Sequence, residues 1–119
     1  MADRVRWETY RGKQILRVDY SGLRGPEFLP VMDQVRAVYK NQPRGSMLAF
    51  TDLRNSYGTD EVVEGFKKLA SVTKLYDKKS AIIGVTGVKA VLLRAVTLFS
   101  QHSLKAFDDE KQALDWLVA

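Results

Sequence analysis

The period of apolar and polar positions changes several times along this chain, and each change predicts an element. Val5, Trp7 and Thr9 alternate with Arg6, Glu8 and Tyr10, which predicts an edge strand with one wet face. Arg11-Gly12-Lys13 reads as a short turn, with glycine where a positive φ is required. From Gln14 to Tyr20 the period of two continues. Leu16, Val18 and Tyr20 share one face, and Ile15, Arg17 and Asp19 share the other. The two segments predict a hairpin. After a loop over 21–25, Pro26 suits the first turn of a helix, while Pro30 delays the regular helix until after itself. Phe28, Val31, Met32, Val35, Val38 and Tyr39 form its apolar stripe, and Asn-Gln-Pro-Arg-Gly over 41–45 ends it. Met47 to Phe50 predicts a third strand with Asp52 at its carboxyl end.

Residues 52–60 are a polar loop. Thr59 followed by Asp60 and Glu61 predicts a helix start, with a capping hydroxyl and acids in the first turn. Val62, Val63, Phe66, Leu69, Ala70 and Thr73 supply the buried face, and residues 76–80 read as a link. Residues 80–107 are the stretch around which the rest is organised. Ala81, Ile82, Ile83 and Val85 are a nearly continuous apolar run, as in a strand covered on both faces. Gly84 and Gly87 bracket a turn. Val88, Val91, Leu92, Ala95, Val96 and Phe99 recur at helical spacing, and Leu104 to Phe107 predicts the next strand. Strand, helix and parallel strand make a right-handed βαβ unit. Asp108-Asp109 caps a last helix with Ala113, Leu114, Trp116 and Leu117 on its apolar face. Trp116 is expected to be substantially buried. The order ββαβαβαβα predicts one α/β domain over 1–119: a mixed, mostly parallel five-stranded sheet with four helices.

Composition changes this picture little. The chain has 119 residues, 45% of them hydrophobic and 28% charged, as in a globular domain with a real core. There is no cysteine, which excludes disulfides, thiol catalysis and thiolate metal sites. The first ten residues contain no apolar signal segment. The apolar helix over 88–99 is far short of the ~20 residues that span a bilayer. A cytoplasmic protein without a membrane span is expected. The net charge of +5 is spread thinly, with Lys67-Lys68 and Lys78-Lys79 as the longest basic runs, so no nucleic-acid arm is expected.

The phrases LAFTDLRN over 48–55, AIIGVTGVKAVLLRAV over 81–96 and KAFDDEKQALDWL over 105–117 resemble the SpoIIAA-like proteins of the STAS superfamily. Within that superfamily they resemble its small, poorly characterised bacterial members. The resemblance covers about residues 5–118 and implies the fold of bacterial anti-sigma factor antagonists. It also implies where a phosphoswitch serine would lie, after the third strand in an Asp-Ser-Ser-Gly-like motif. The loop here reads Asn55-Ser56-Tyr57-Gly58-Thr59-Asp60 and lacks that motif, leaving Ser56 and Thr59 as its hydroxyl candidates.

Other candidate chemistry is sparse. Gly84-Val85-Thr86-Gly87-Val88-Lys89 offers backbone N–H groups, a hydroxyl and a lysine at a helix start, where an anion can bind. It lacks the full phosphate-loop signature. Thr86, Gly87 and Lys89, with Asp52 at a strand end, are the ligand-binding candidates. His102 is the only histidine, and no metal site or cofactor is expected. Leu93, Val96 and Leu98 make the 88–99 helix apolar on its flanks as well, which predicts self-association as a homodimer or contact with a protein partner. With no nucleophile–base pair in the pattern, the reading is a non-enzymatic regulatory module that binds another protein. The alternative is a module for an anion or lipid-like ligand at 84–89. An enzyme built on Asp52 is a third reading.

Overall fold

The computed structural model describes residues 3–85 and 104–119. The predicted helix over 88–99, and with it Thr86, Gly87, Lys89, Leu93, Val96, Leu98 and His102, lies outside the described residues. The chain begins with β1 (Val5–Tyr10) and β2 (Lys13–Asp19), a hairpin paired from Val5↔Val18 to Tyr10↔Lys13. Arg11 and Gly12 both take positive φ, 49° and 80°, as a two-residue turn matched to strand twist requires. Then come α1 (Phe28–Tyr39), β3 (Met47–Asp52), α2 (Asp60–Thr73), β4 (Asp77–Ile83), β5 (Leu104–Phe107) and α3 (Glu110–Val118). The strand order is β1-β2-β3-β4-β5, antiparallel at the first pair and parallel at the other three. The expected sheet is therefore observed, and three α-helices lie among the described residues where the pattern predicted four along the whole chain.

Alternation along the central strands divides the core. Leu16 and Val18 of β2, with Met47 and Ala49 of β3, pack under α1 and α2. Ile15, Leu48, Phe50, Ala81 and Ile83 face the other way, toward Ala113, Leu114 and Leu117 of α3. Burial on both faces is why β3 reads as an unbroken apolar run. Each fully buried large side chain, such as Phe50 or Leu16, contributes roughly 1.5–3 kcal/mol.

Three expectations need correction. Helix α1 begins at Phe28, before Pro30. Pro30 is its third residue, inside the first turn, where backbone N–H groups have no intrahelical acceptor, so the missing donor costs no bond. Pro26 sits just upstream in a 3-10 turn, Gly25–Glu27, whose entry is tied by the Arg24 N–H donating to the Glu27 carboxylate at 2.8 Å. Strand β4 starts at Asp77, not after Ser80, and ends at Ile83, before Val85. A register shift opposite Met47/Leu48 lets the polar Asp-Lys-Lys stretch join the ladder.

The third correction concerns Trp116. It is half-buried rather than a core residue. Its ring lies 5.4 Å from Phe107, with the Lys79 ammonium 5.0 Å from its centroid. Lys79 also donates to the Trp116 carbonyl at 2.8 Å and the Ala119 carbonyl at 3.3 Å, satisfying the end of α3. Trp116→Ala is therefore expected to cost about 1.5–3 kcal/mol, below the 3–5 typical of a core aromatic. Urea denaturation checks this, and a loss above about 4 would mean the ring is buried more deeply than described.

Candidate functional site

The carboxyl ends of the parallel strands are where α/β sheets place ligands, and the residues there begin with Asp52. Its side chain is buried at the end of β3. Arg54, two residues on, donates to it from its backbone N–H at 2.9 Å, from Nε at 3.1 Å and from Nη2 at 2.8 Å. Burial alone would raise the Asp52 pKa. The Arg54 hydrogen bonds and charge, helped by Arg17, outweigh it and hold the carboxyl below its ordinary range. Asp52 is thus a brace for the loop after β3, with its charged form favoured by the Arg54 guanidinium. Beside it, Glu110 accepts from Arg17 at 2.7 Å and stands 3.6 Å from Arg54. The Arg17 guanidinium lies over the Phe50 ring, 4.7 Å from its centroid. These charges form one linked group on the α3 side of the sheet.

The next residues turn to the opposite side. Ser56 is buried, and its hydroxyl donates to the Leu53 carbonyl at 2.7 Å. Thr59 is exposed and accepts from the Val62 N–H at 3.4 Å, capping α2 as its sequence context predicts. Of the two hydroxyl candidates, only Thr59 is open to another molecule as the loop stands. Between them Tyr57 is 65% exposed. Its backbone is bridged to that of Arg24: the Tyr57 N–H donates to the Leu23 carbonyl, and the Gly25 N–H to the Tyr57 carbonyl, both at 2.9 Å. The Arg24 guanidinium lies 5.2 Å from the centroid of the Tyr57 ring. Sequence pattern missed this pair, because Arg24 and Tyr57 are 33 positions apart and each sits in a polar loop.

A crystal structure of an uncharacterised DUF3478-family protein with a SpoIIAA-like fold, from Shewanella loihica PV-4, matches with a TM-score of 0.76. The match covers 95% of this chain and 91% of that one, at 20% sequence identity. The fold is SpoIIAA-like. No family model matches the chain, and no curated protein does. The SpoIIAA-like fold fits the resemblance carried by the strand-end and C-terminal phrases. At this identity it speaks for architecture and not for activity. Among the described residues no helix is long and apolar enough to cross a membrane, and no cluster of three or more His, Asp or Glu side chains could hold a metal ion.

A second feature of the SpoIIAA-like fold here was not expected. Between the sheet and the helices α1 and α2 lies a cavity of about 120 Å3. Its floor is short: Ala49 and Thr51 of β3, and Ser80 of β4. Leu69, Ala70 and Thr73 of α2 roof it. One end is lined by Tyr20, Phe28 and Phe66, whose rings pack 5.2–5.8 Å apart, and Ser56 and Gly58 of the loop after β3 also border the cavity. The other end carries Tyr39, which donates to the Asp77 carboxylate at 2.6 Å. Burial pushes the Asp77 carboxyl up to about 7, and the Tyr39 hydrogen bond only partly opposes that.

Proposed function

We propose that this protein is a non-enzymatic STAS-like regulatory module that engages a protein partner through the loop face around Tyr57. The observation that carries this reading is the exposed Tyr57 ring stacked with Arg24 on a backbone bridge. Tyrosine and arginine are the residue types most enriched at the energetic centres of interfaces. A loop braced at both ends by hydrogen bonds loses less freedom on binding than a free one. Asp52 and Arg54 brace the same loop from the inside. The exposed Thr59 sits two residues from the ring, so a phosphate there would alter the charge of this face. Resemblance to anti-sigma factor antagonists supports a regulatory role over a catalytic one, by analogy of fold.

A photoreactive phenylalanine analogue placed at position 57, and separately at the exposed Lys40 on the far end of α1, tests the reading in living cells. A discrete adduct from position 57, absent from position 40 and weakened by Arg24→Ala, is expected. Equal labelling from both positions, or none from position 57, overturns it. Because the Tyr57 ring is mostly exposed, Tyr57→Ala should change stability by no more than about 0.5 kcal/mol, so lost binding would not reflect unfolding.

A further inference from the structure

We propose that the cavity under α1 and α2 is a second binding site, built for a neutral molecule about the size of one aromatic ring and carrying a single hydroxyl or carbonyl group. Three observations converge on that class.

The first is size. The cavity measures about 120 Å3, close to the roughly 150 Å3 of a cavity that accepts benzene in an otherwise close-packed protein. It exists because small side chains face each other across the layers. Ala49 lies opposite Ser80 in the parallel ladder, where central strands usually carry branched residues, and Ala70 comes down from α2 above them. A close-packed core would have filled this space with Val, Ile or Leu.

The second is polarity within an otherwise apolar wall. Tyr20 is 1% exposed, and its hydroxyl makes no hydrogen bond among the described residues. Burial raises its pKa well above the ordinary phenol value with no hydrogen bond contributing. Yet among the described residues no fully sealed side-chain oxygen lacks a partner, so this hydroxyl is not fully sealed, and the residue that carries it lines the cavity. Ser80 is in the same position, buried and without a hydrogen-bond partner among the described residues. An unpaired buried hydroxyl is destabilising, and a ligand oxygen that reaches it restores the missing hydrogen bond. A fully apolar guest would leave it unmade.

The third is charge. Among the described residues lining the cavity there is no Lys, Arg or His, and the Arg36 guanidinium whose charge reaches the Tyr20 hydroxyl is already paired with Asp33 at 2.9 Å, so these residues offer an anion no free counter-charge. A cation would have to draw on Asp77, whose ionisation burial opposes and whose Oδ1 is held by Tyr39. A neutral guest fits both ends: its ring against the edges and faces of Phe28 and Phe66, and its oxygen at Tyr20 or Ser80. Ser56 and Gly58, the chain neighbours of Tyr57, border this cavity, yet its occupation by a small guest does not depend on the protein-partner reading.

Calorimetric titration at pH 6 with benzyl alcohol, toluene, benzoate and benzylamine tests the class with one ring and four polar characters. Benzyl alcohol should bind saturably with one-to-one stoichiometry, several-fold tighter than toluene. Benzoate and benzylamine should be weaker than benzyl alcohol by on the order of tenfold or more. Ala49→Val and Ala70→Leu fill the space from the floor and from the roof. Each should remain folded by circular dichroism, and at least one should weaken benzyl alcohol on the order of tenfold. Tyr20→Phe or Ser80→Ala should bring benzyl alcohol toward the toluene affinity. Tightest binding by benzoate or benzylamine overturns the neutral class. No binding by any probe, or binding unchanged in both folded filling variants, overturns the site. An unchanged preference for the alcohol in both Tyr20→Phe and Ser80→Ala overturns the polar anchor.

Discussion

Replacing Gly84 by alanine is expected to cost about 4 kcal/mol or more, a large share of the roughly 5–15 kcal/mol that holds a domain of this kind together. Gly84 follows β4 with φ at 85°, where an L side chain is already strained. A Cβ there would also stand 2.5 Å from the Arg54 backbone nitrogen and 2.7 Å from the Leu53 carbonyl carbon. Both are main-chain atoms, and the Leu53 N–H donates to the Ile83 carbonyl at 3.0 Å, so neither side can yield without breaking the sheet end. Gly45→Ala is the control. Gly45 has φ at 70° but open space around it, so its variant should lose only about 1–2 kcal/mol. Denaturant midpoints of the two variants separate the cost of the dihedral from the cost of the contact. Similar losses would show that the Leu53–Arg54 backbone yields easily. A large loss at Gly84 would also displace Arg54 from Asp52, and the loop leading to Tyr57 with it.

The second large effect concerns pH. Asp77 is half-buried, and desolvation of its carboxyl is the main cause that raises its pKa to about 7. Below the ordinary carboxylate range, folded and unfolded chains both hold the proton and nothing is lost. As pH rises from about 4 to 7, the unfolded chain gives up the proton while the folded one keeps it, so folding stability falls. Above about 7 both forms are ionised and the loss is complete. A shift of about three units corresponds to roughly 4 kcal/mol. Asp77→Asn keeps the shape and an acceptor for Tyr39 but cannot ionise. Its stability relative to the parent protein should therefore rise by about 3–4 kcal/mol between pH 4 and pH 8, following a curve centred below 7. Urea titrations across that range check it, and a difference that stays flat with pH would place Asp77 in a solvated setting. Tyr39→Phe removes the hydrogen bond that favours the ionised form, so in that variant the falling limb should extend to higher pH.

Local physics is what the sequence carries, and there it determined most of the architecture. The Arg11-Gly12 turn, the alternation along β2, the Thr59 and Asp109 caps and the 3.6-residue stripes of α1, α2 and α3 each depend on neighbours within a few positions. Together they specify a hairpin followed by αβ units, and the right-handed crossover rule leaves few ways to assemble them. Asp52 as a loop brace was also within reach, since Arg54 lies two residues away. What the tertiary structure alone decided depends on residues brought together from distant positions. Asp77 begins a polar stretch, Asp-Lys-Lys-Ser, that reads as a link until β3 pairs with it and Tyr39 covers it. Trp116 has a core residue's spacing, but it lies where α3 meets the edge strand β5, so Phe107 and Lys79 shield only part of the ring. Gly84 is legible as a turn, yet the reason no side chain fits is the backbone of a neighbouring strand end. The cavity is the clearest case. Ala49, Ala70 and Ser80 are each ordinary in their own elements, and only the packing of α2 over the sheet sets three short side chains around one space with Tyr20 in its wall.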